Sequence, residues 1–149
     1  LAMDSDAESF IRRRLHELCS ADLDIRAGMV LLSEFEPGDG PQVAIWPPEQ
    51  LDLTALIQVA RSSMNRAHLV LTRPNADLPV AQHLIGLPLL DGERVRGALA
   101  VAVHAQGGQA IGDKMVWLAR AGASMACGLF SVLMVEPAQL ASGRRVYFG

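Results

Sequence analysis

The stretch from Leu84 to His104, LIGLPLLDGERVRGALAVAVH, constrains the fold more than any other part of the chain. Two apolar runs flank Asp91-Gly92, a dipeptide that tolerates the positive φ of a tight hairpin turn, so the segment reads as two antiparallel strands. After the turn, Val95, Gly97, Leu99, Val101 and Val103 fall on one face, and Arg96, Ala98, Ala100, Ala102 and His104 on the other. A strand that is branched on one side and small on the other is expected to be central and covered twice, its alanine side admitting a helix at close range.

A chain of 149 residues is long enough for one domain with its own core. Half of the residues are apolar and the net charge is −3, which leaves no basic footprint for nucleic acid. Cys19 and Cys127 match no metal or redox spacing, so buried free thiols in a reducing, cytoplasmic compartment are expected. No secretory leader pattern opens the sequence. The apolar run from Ala121 to Val135 is shorter than the ~20 residues of a spanning helix, so it is read as a buried helix and no direct membrane span is expected.

The remaining elements follow from periodicity. Ser5 and Glu8 have capping-box spacing, and Ala7, Ile11, Leu15 and Leu18 form one apolar helical stripe ending near Cys19. Ala27 to Phe35 and Gln42 to Trp46 read as paired strands, closed off by Pro47-Pro48. Leu53, Leu56, Ile57, Ala60 and Met64 predict a second helix, with Asp52 as its cap, and His68 to Thr72 predicts a short strand. Arg73 to Gln82 is loop-like, and Gln106 to Gly112 breaks the pattern with three glycines. From Asp113, Met115, Leu118, Gly122, Met125, Leu129 and Val132 predict a last helix of some twenty residues, ended at Glu136-Pro137. One domain over 5–136 is therefore expected, with 137–149 as a tail.

The fold class is α+β, an antiparallel sheet of five to six strands with N-terminal, middle and C-terminal helices packed on it. Leu87-Pro88-Leu89, then Asp91-Gly92-Glu93, then Arg96-Gly97-Ala98-Leu99-Ala100-Val101, a glycine-bearing loop, Asp113 and a long helix together resemble the signature of GAF domains; PAS domains share the sheet topology. The resemblance implies the first, second and last helices on one sheet face, a ligand pocket on the other roofed by Arg73 to Gln82, and terminal helices that dimerise. Cys19, the Ala44-Ile45-Trp46-Pro47 segment and the leucine-rich helix from Leu51 are similar to GAF modules of bacterial HlyD-like membrane-fusion adaptors.

Chemistry is sparse. No Ser-His-Asp order, P-loop or dinucleotide-binding glycine pattern occurs, so no enzymatic activity and no cofactor or metal are expected. The Asn-Lys-Phe-Asp-Glu motif of cyclic-nucleotide-binding GAF domains, the bilin-attachment cysteine of phytochromes and the paired cysteines of sulfoxide-reducing GAF enzymes have no match here. His83 begins the central hairpin and His104 ends it; with Trp46 and Arg73 they offer imidazole, guanidinium and an aromatic wall to a small anionic or planar ligand. Small residues four apart in the last helix, with Trp117, Met125 and Phe130, and Ile11, Leu15 and Leu18 of the first, suit either a homodimer bundle or packing on the chain's own sheet. Two functions remain: a sensory module that binds a small molecule and signals through its terminal helices, or a ligand-free dimerisation or docking module of a larger membrane-associated protein.

Overall fold

The computed structural model describes residues 5–33, 42–48, 53–72, 82–104 and 108–140. In chain order these form α1 (Ser5–Ser20), β1 (Ile25–Leu32), β2 (Gln42–Trp46), α2 (Thr54–Arg66), β3 (Val70–Thr72), β4 (Gln82–Asp91), β5 (Arg94–His104) and α3 (Gly108–Leu140). The strands make one antiparallel sheet in the order β2-β1-β5-β4-β3, which puts β5 in the middle.

The two faces of β5 seed two cores. Leu99, Val101 and Val103 face α1 and α3, together with Val30, Ile85, Leu87, Leu118, Met125 and Leu129. Ala98, Ala100 and Ala102 face α2, together with Met29, Leu56, Val59, Ala60 and Leu84. The alternation expected for β5 is thus what the molecule uses, with branched side chains under two helices and methyl groups under one. The family resemblance implied all three helices on one face, and the structure corrects this, with α1 and α3 on one side and α2 on the other. Helix α2 lies alone on the alanine side, because short side chains there let a third helix close the layer.

How close α2 comes is measured at Gly86. A Cβ there would stand 2.5 Å from the Val59 carbonyl oxygen, a backbone atom that no rotamer change can move. On the other face, a Cβ at Gly28 would stand 2.7 Å from Cys19 Sγ, so the end of α1 is seated directly on β1.

Several boundaries differ from the sequence expectation. The hairpin loop is Gly92-Glu93, with Asp91 opposite Arg94 and positive φ only at Gly92 (66°), the pattern of a turn with glycine first. Helix α2 begins after Leu53 without a side-chain cap, and the expected cap Asp52 lies outside the described residues. Helix α3 spans 33 residues, taking in Gly108 and Gly112 and continuing through Glu136-Pro137 to Leu140. Glycine is tolerated in its first turns because the surrounding helix supplies the geometry, at a cost of roughly 1 kcal/mol each.

Two glycines give opposite expectations. Gly86→Ala forces a methyl against α2 and is expected to lower stability by about 1–3 kcal/mol in urea unfolding. Gly112→Ala meets nothing within 4 Å and is expected to raise it by roughly 0.5–1 kcal/mol by favouring helix over unfolded chain.

Candidate functional site

Helix α3 carries the features that lie outside the two cores, and its small residues divide by the neighbour each meets. Gly122 and Ala126 are buried and face the sheet, with a Cβ at Gly122 falling 3.6 Å from Leu87 Cδ1. Gly128 faces α1, where a Cβ would stand 2.6 Å from the tip of the Phe10 ring. Beside it, Arg14 Nη2 donates to Ser124 Oγ at 3.2 Å. Ala119 and Ala123 are exposed and, with Cys127, line a groove of about 470 Å³ between α3 and the outer half of β4.

A β-bulge shapes the floor of that groove. The register of β4 on β5 shifts between Leu89 and Leu90, so Leu89 pairs with Gly97 while Leu90 pairs with Val95, and Arg96 is the extra residue. The shift takes Arg96 off the alanine face predicted for it. Its guanidinium lies 5.5 Å from the centroid of the Phe130 ring and donates to Asp91 at 3.3 Å. The hairpin tip is thereby tied to α3.

A second hollow, of about 520 Å³, lies at the other end of α3, between Asp22, Asp24, Asp113, Lys114 and Trp117. Lys114 bridges Asp22 and, at 3.0 Å, Asp24, joining the α1–β1 turn to the first turns of α3. Burial alone would raise the Asp22 carboxyl, but the hydrogen bonds from Lys114 and from the Asp24 amide, with the Lys114 charge, hold it below the usual carboxylate range. The hydrogen bond to Asp22 raises Lys114 in turn, against a smaller opposing effect of burial and with help from Asp24.

The residues proposed from sequence as a ligand site do not converge. His83 is opposite Val103 and shares the α1/α3 face, whereas His104 is opposite Gln82 and falls on the α2 face. Trp46 is on the α1/α3 face in β2, and β1 and β5 separate it from the strand of His83, a spacing of about 14 Å. Arg73 lies outside the described residues. Nor are the residues proposed for a dimer seam available as a set: Ile11, Leu15, Leu18, Met125 and Phe130 are all buried in the monomer's own core. Trp117 is 37% exposed and Val116, its neighbour, 56%. Arg96 and Lys114, which make two of the polar links to α3, belong to no motif, and a bulge leaves no mark on a period-two pattern.

Burial pushes the Cys19 thiol up to about 12, which keeps it protonated and inert at neutral pH, whereas Cys127, expected to be buried as well, is exposed on α3. Among the described residues, no group of three or more His, Cys, Asp or Glu is placed to hold a metal ion. None of their helices is long and apolar enough to cross a membrane.

Comparison with solved structures accounts for this arrangement of helices on a five-stranded sheet. The GAF domain of a two-component sensor histidine kinase from Bacillus halodurans superposes with a TM-score of 0.61 at 12% identity, over 91% of this chain and 99% of that one. The GAF domain of A. aeolicus Nlh2 in an inactive state gives 0.61 at 10% identity, over 87% of each chain. The fold is that of GAF domains. A type II free methionine-R-sulfoxide reductase from Thermoplasma acidophilum shares it, with a TM-score of 0.55 at 12% identity over 87% of this chain and 96% of that one. No protein-family model and no curated protein matches the sequence. None of these three structures is a membrane-fusion adaptor, and that part of the sequence resemblance finds no support in them.

The Lys114 link yields a pH prediction with a definite sign. Asp22 is depressed in the folded state, so its contribution is present above its ordinary value of 3.8 and is lost as the pH falls through the folded value. Asp22→Asn is therefore expected to cost roughly 1 kcal/mol at neutral pH, with the difference from the parent closing in urea titrations as the pH falls below that ordinary value.

Proposed function

We propose that the domain is a non-catalytic regulatory module of the sensory kind, in which a bound small molecule changes how α1 and α3 lie on one another and so informs a neighbouring domain. The observation that carries this reading is the seam between the two terminal helices. Among the described residues it includes Phe10 over Gly128 and an exposed polar link, Arg14 to Ser124. A seam of that kind slides or tilts at small cost, whereas the sheet beneath it, with Leu99 and Val101 fully buried, does not. The GAF fold supports the regulatory class, since two of the structures that share it are GAF domains, one of them from a sensor kinase.

The ligand reading does not use Trp46, Arg73, His83 and His104 as one site. It treats His83 and Trp46 on one face and His104 on the other as separate candidates, with Arg73 open to test. The lack of a paired reactive cysteine favours a non-catalytic role, because Cys19 is held as a buried thiol. A reducing, cytoplasmic setting suits both free thiols.

A homodimer is the second reading, and the exposed Val116 and Trp117 favour it. Native mass spectrometry of freshly purified protein separates the two. The sensory reading expects added mass of a small molecule, and its removal is expected to change amide exchange along α1 and α3 while leaving β5 untouched. Protein without added mass that doubles in light scattering, and returns to monomer as Trp117→Glu, would instead establish the docking role.

A further inference from the structure

We propose that the hollow between the α1–β1 turn and the first turns of α3 is a docking surface for another protein, and that it takes a segment in which arginine stands beside apolar side chains. Of the five large apolar side chains exposed among the described residues, three lie at this end of the molecule: Leu23 at 92%, Val116 at 56% and Trp117 at 37%. Leu23 sits between Asp22 and Asp24, and those two line the hollow together with Asp113 and Trp117. Large apolar side chains left in water around a concave wall mark a surface that a partner covers. Tryptophan is also among the side chains that carry most binding energy once water is excluded from them.

Charge selects the partner. Three carboxylates, those of Asp22, Asp24 and Asp113, line the hollow, and among the described residues Lys114 is the one cation that lines it with them. Its ammonium is already engaged by Asp22 and Asp24, and Arg120 lies further along α3, outside the hollow. Adding the roughly half positive charge of the α3 N-terminus leaves the balance negative. Asp113 is exposed and the Asp24 side chain is half exposed, so both keep acceptor capacity for an incoming donor. A guanidinium suits this pairing of groups, because it stacks flat on an indole while its N–H groups donate to carboxylates. A second copy docked about a two-fold axis here would instead set the same carboxylates against one another. The surface therefore goes beyond both readings above, needing neither a bound small molecule nor a homodimer.

The probe is a labelled amphipathic peptide of arginine and leucine at helical spacing, titrated with the full chain by fluorescence anisotropy, beside a peptide with glutamate in place of arginine. The arginine peptide is expected to bind and the glutamate peptide not to, with affinity falling at least about fivefold as salt rises from about 50 to about 500 mM. Trp117→Ser and Asp113→Lys are each expected to weaken binding about tenfold, while Leu90→Ser, in the other groove, leaves it unchanged. Trp117 and Asp113 are both exposed, so circular dichroism of these variants is expected to match the parent's. Absence of binding, equal affinity across the variants, or equal affinity for the glutamate peptide would overturn the proposal. So would arginine amide binding as tightly as the peptide, since the hollow would then hold a small cation. Doubling of the parent in light scattering that Trp117→Ser abolishes would overturn it too, because a second copy would then be the occupant.

Discussion

Everything in this molecule is spaced by the unequal thickness of the two sides of β5. Leu99, Val101 and Val103 hold α1 and α3 off the sheet by the length of branched side chains, while Ala98, Ala100 and Ala102 hold α2 off by a methyl. On the thin side there is so little room that position 86 accepts only glycine against the α2 backbone. A larger side chain at any of the three alanines would lift α2 as a body, because strands and helices transmit a local overlap along their whole length. The thick side distributes its packing over longer, rotatable side chains, which can rearrange by small steps. The rigid and the adjustable halves of the domain are therefore set by the alternation within one strand.

The bulge opposite Leu89 and Leu90 connects this core to the surface. Without the extra residue, Arg96 would share the α2 side with Ala98, Ala100 and Ala102. With it, Arg96 reaches both Asp91 and the Phe130 ring, and the hairpin tip moves with the middle of α3. On the β1 side of the bulge the fit is as tight, since a Cβ at Gly97 would stand 2.5 Å from the Leu31 carbonyl oxygen. Ser33, just past β1, adds a second tie by donating to the Arg96 carbonyl through both its amide and its hydroxyl, each at 3.0 Å.

The parts of this architecture that were legible in the sequence are those encoded by period. The two faces of β5, the stripe Ile11-Leu15-Leu18 and the central place of the hairpin all follow from which residues recur every second or every fourth position. The candidate site was less legible, because it depends on register. Taking Asp91-Gly92 as the loop rather than Gly92-Glu93 changes the pairing of the two strands but keeps like faces together, whereas the one-residue bulge at Arg96 sends the residues beyond it to opposite faces. His83 and His104 look like neighbours at the hairpin's open end and yet lie on opposite sides of the sheet. The side taken by α2 was hidden for a different reason: the helix's own stripe says that it has an apolar face, not which face of the sheet receives it.

The links to α3 are weak ones. Lys114 with Asp22 and Asp24, Arg14 with Ser124, and Arg96 with Phe130 are partly exposed contacts, each worth on the order of 1 kcal/mol or less. Links of that size hold one arrangement of a helix in preference to another by about fivefold apiece, since 1.4 kcal/mol corresponds to a factor of ten. A ligand or partner with a differential affinity of only two or three kcal/mol would then be enough to reverse the preference. Buried ion pairs in the same places would lock α3 and make the domain a scaffold. The distribution seen here is a close-packed sheet beneath a helix fastened at its margins by partly exposed pairs, so small differential contacts suffice to shift that helix.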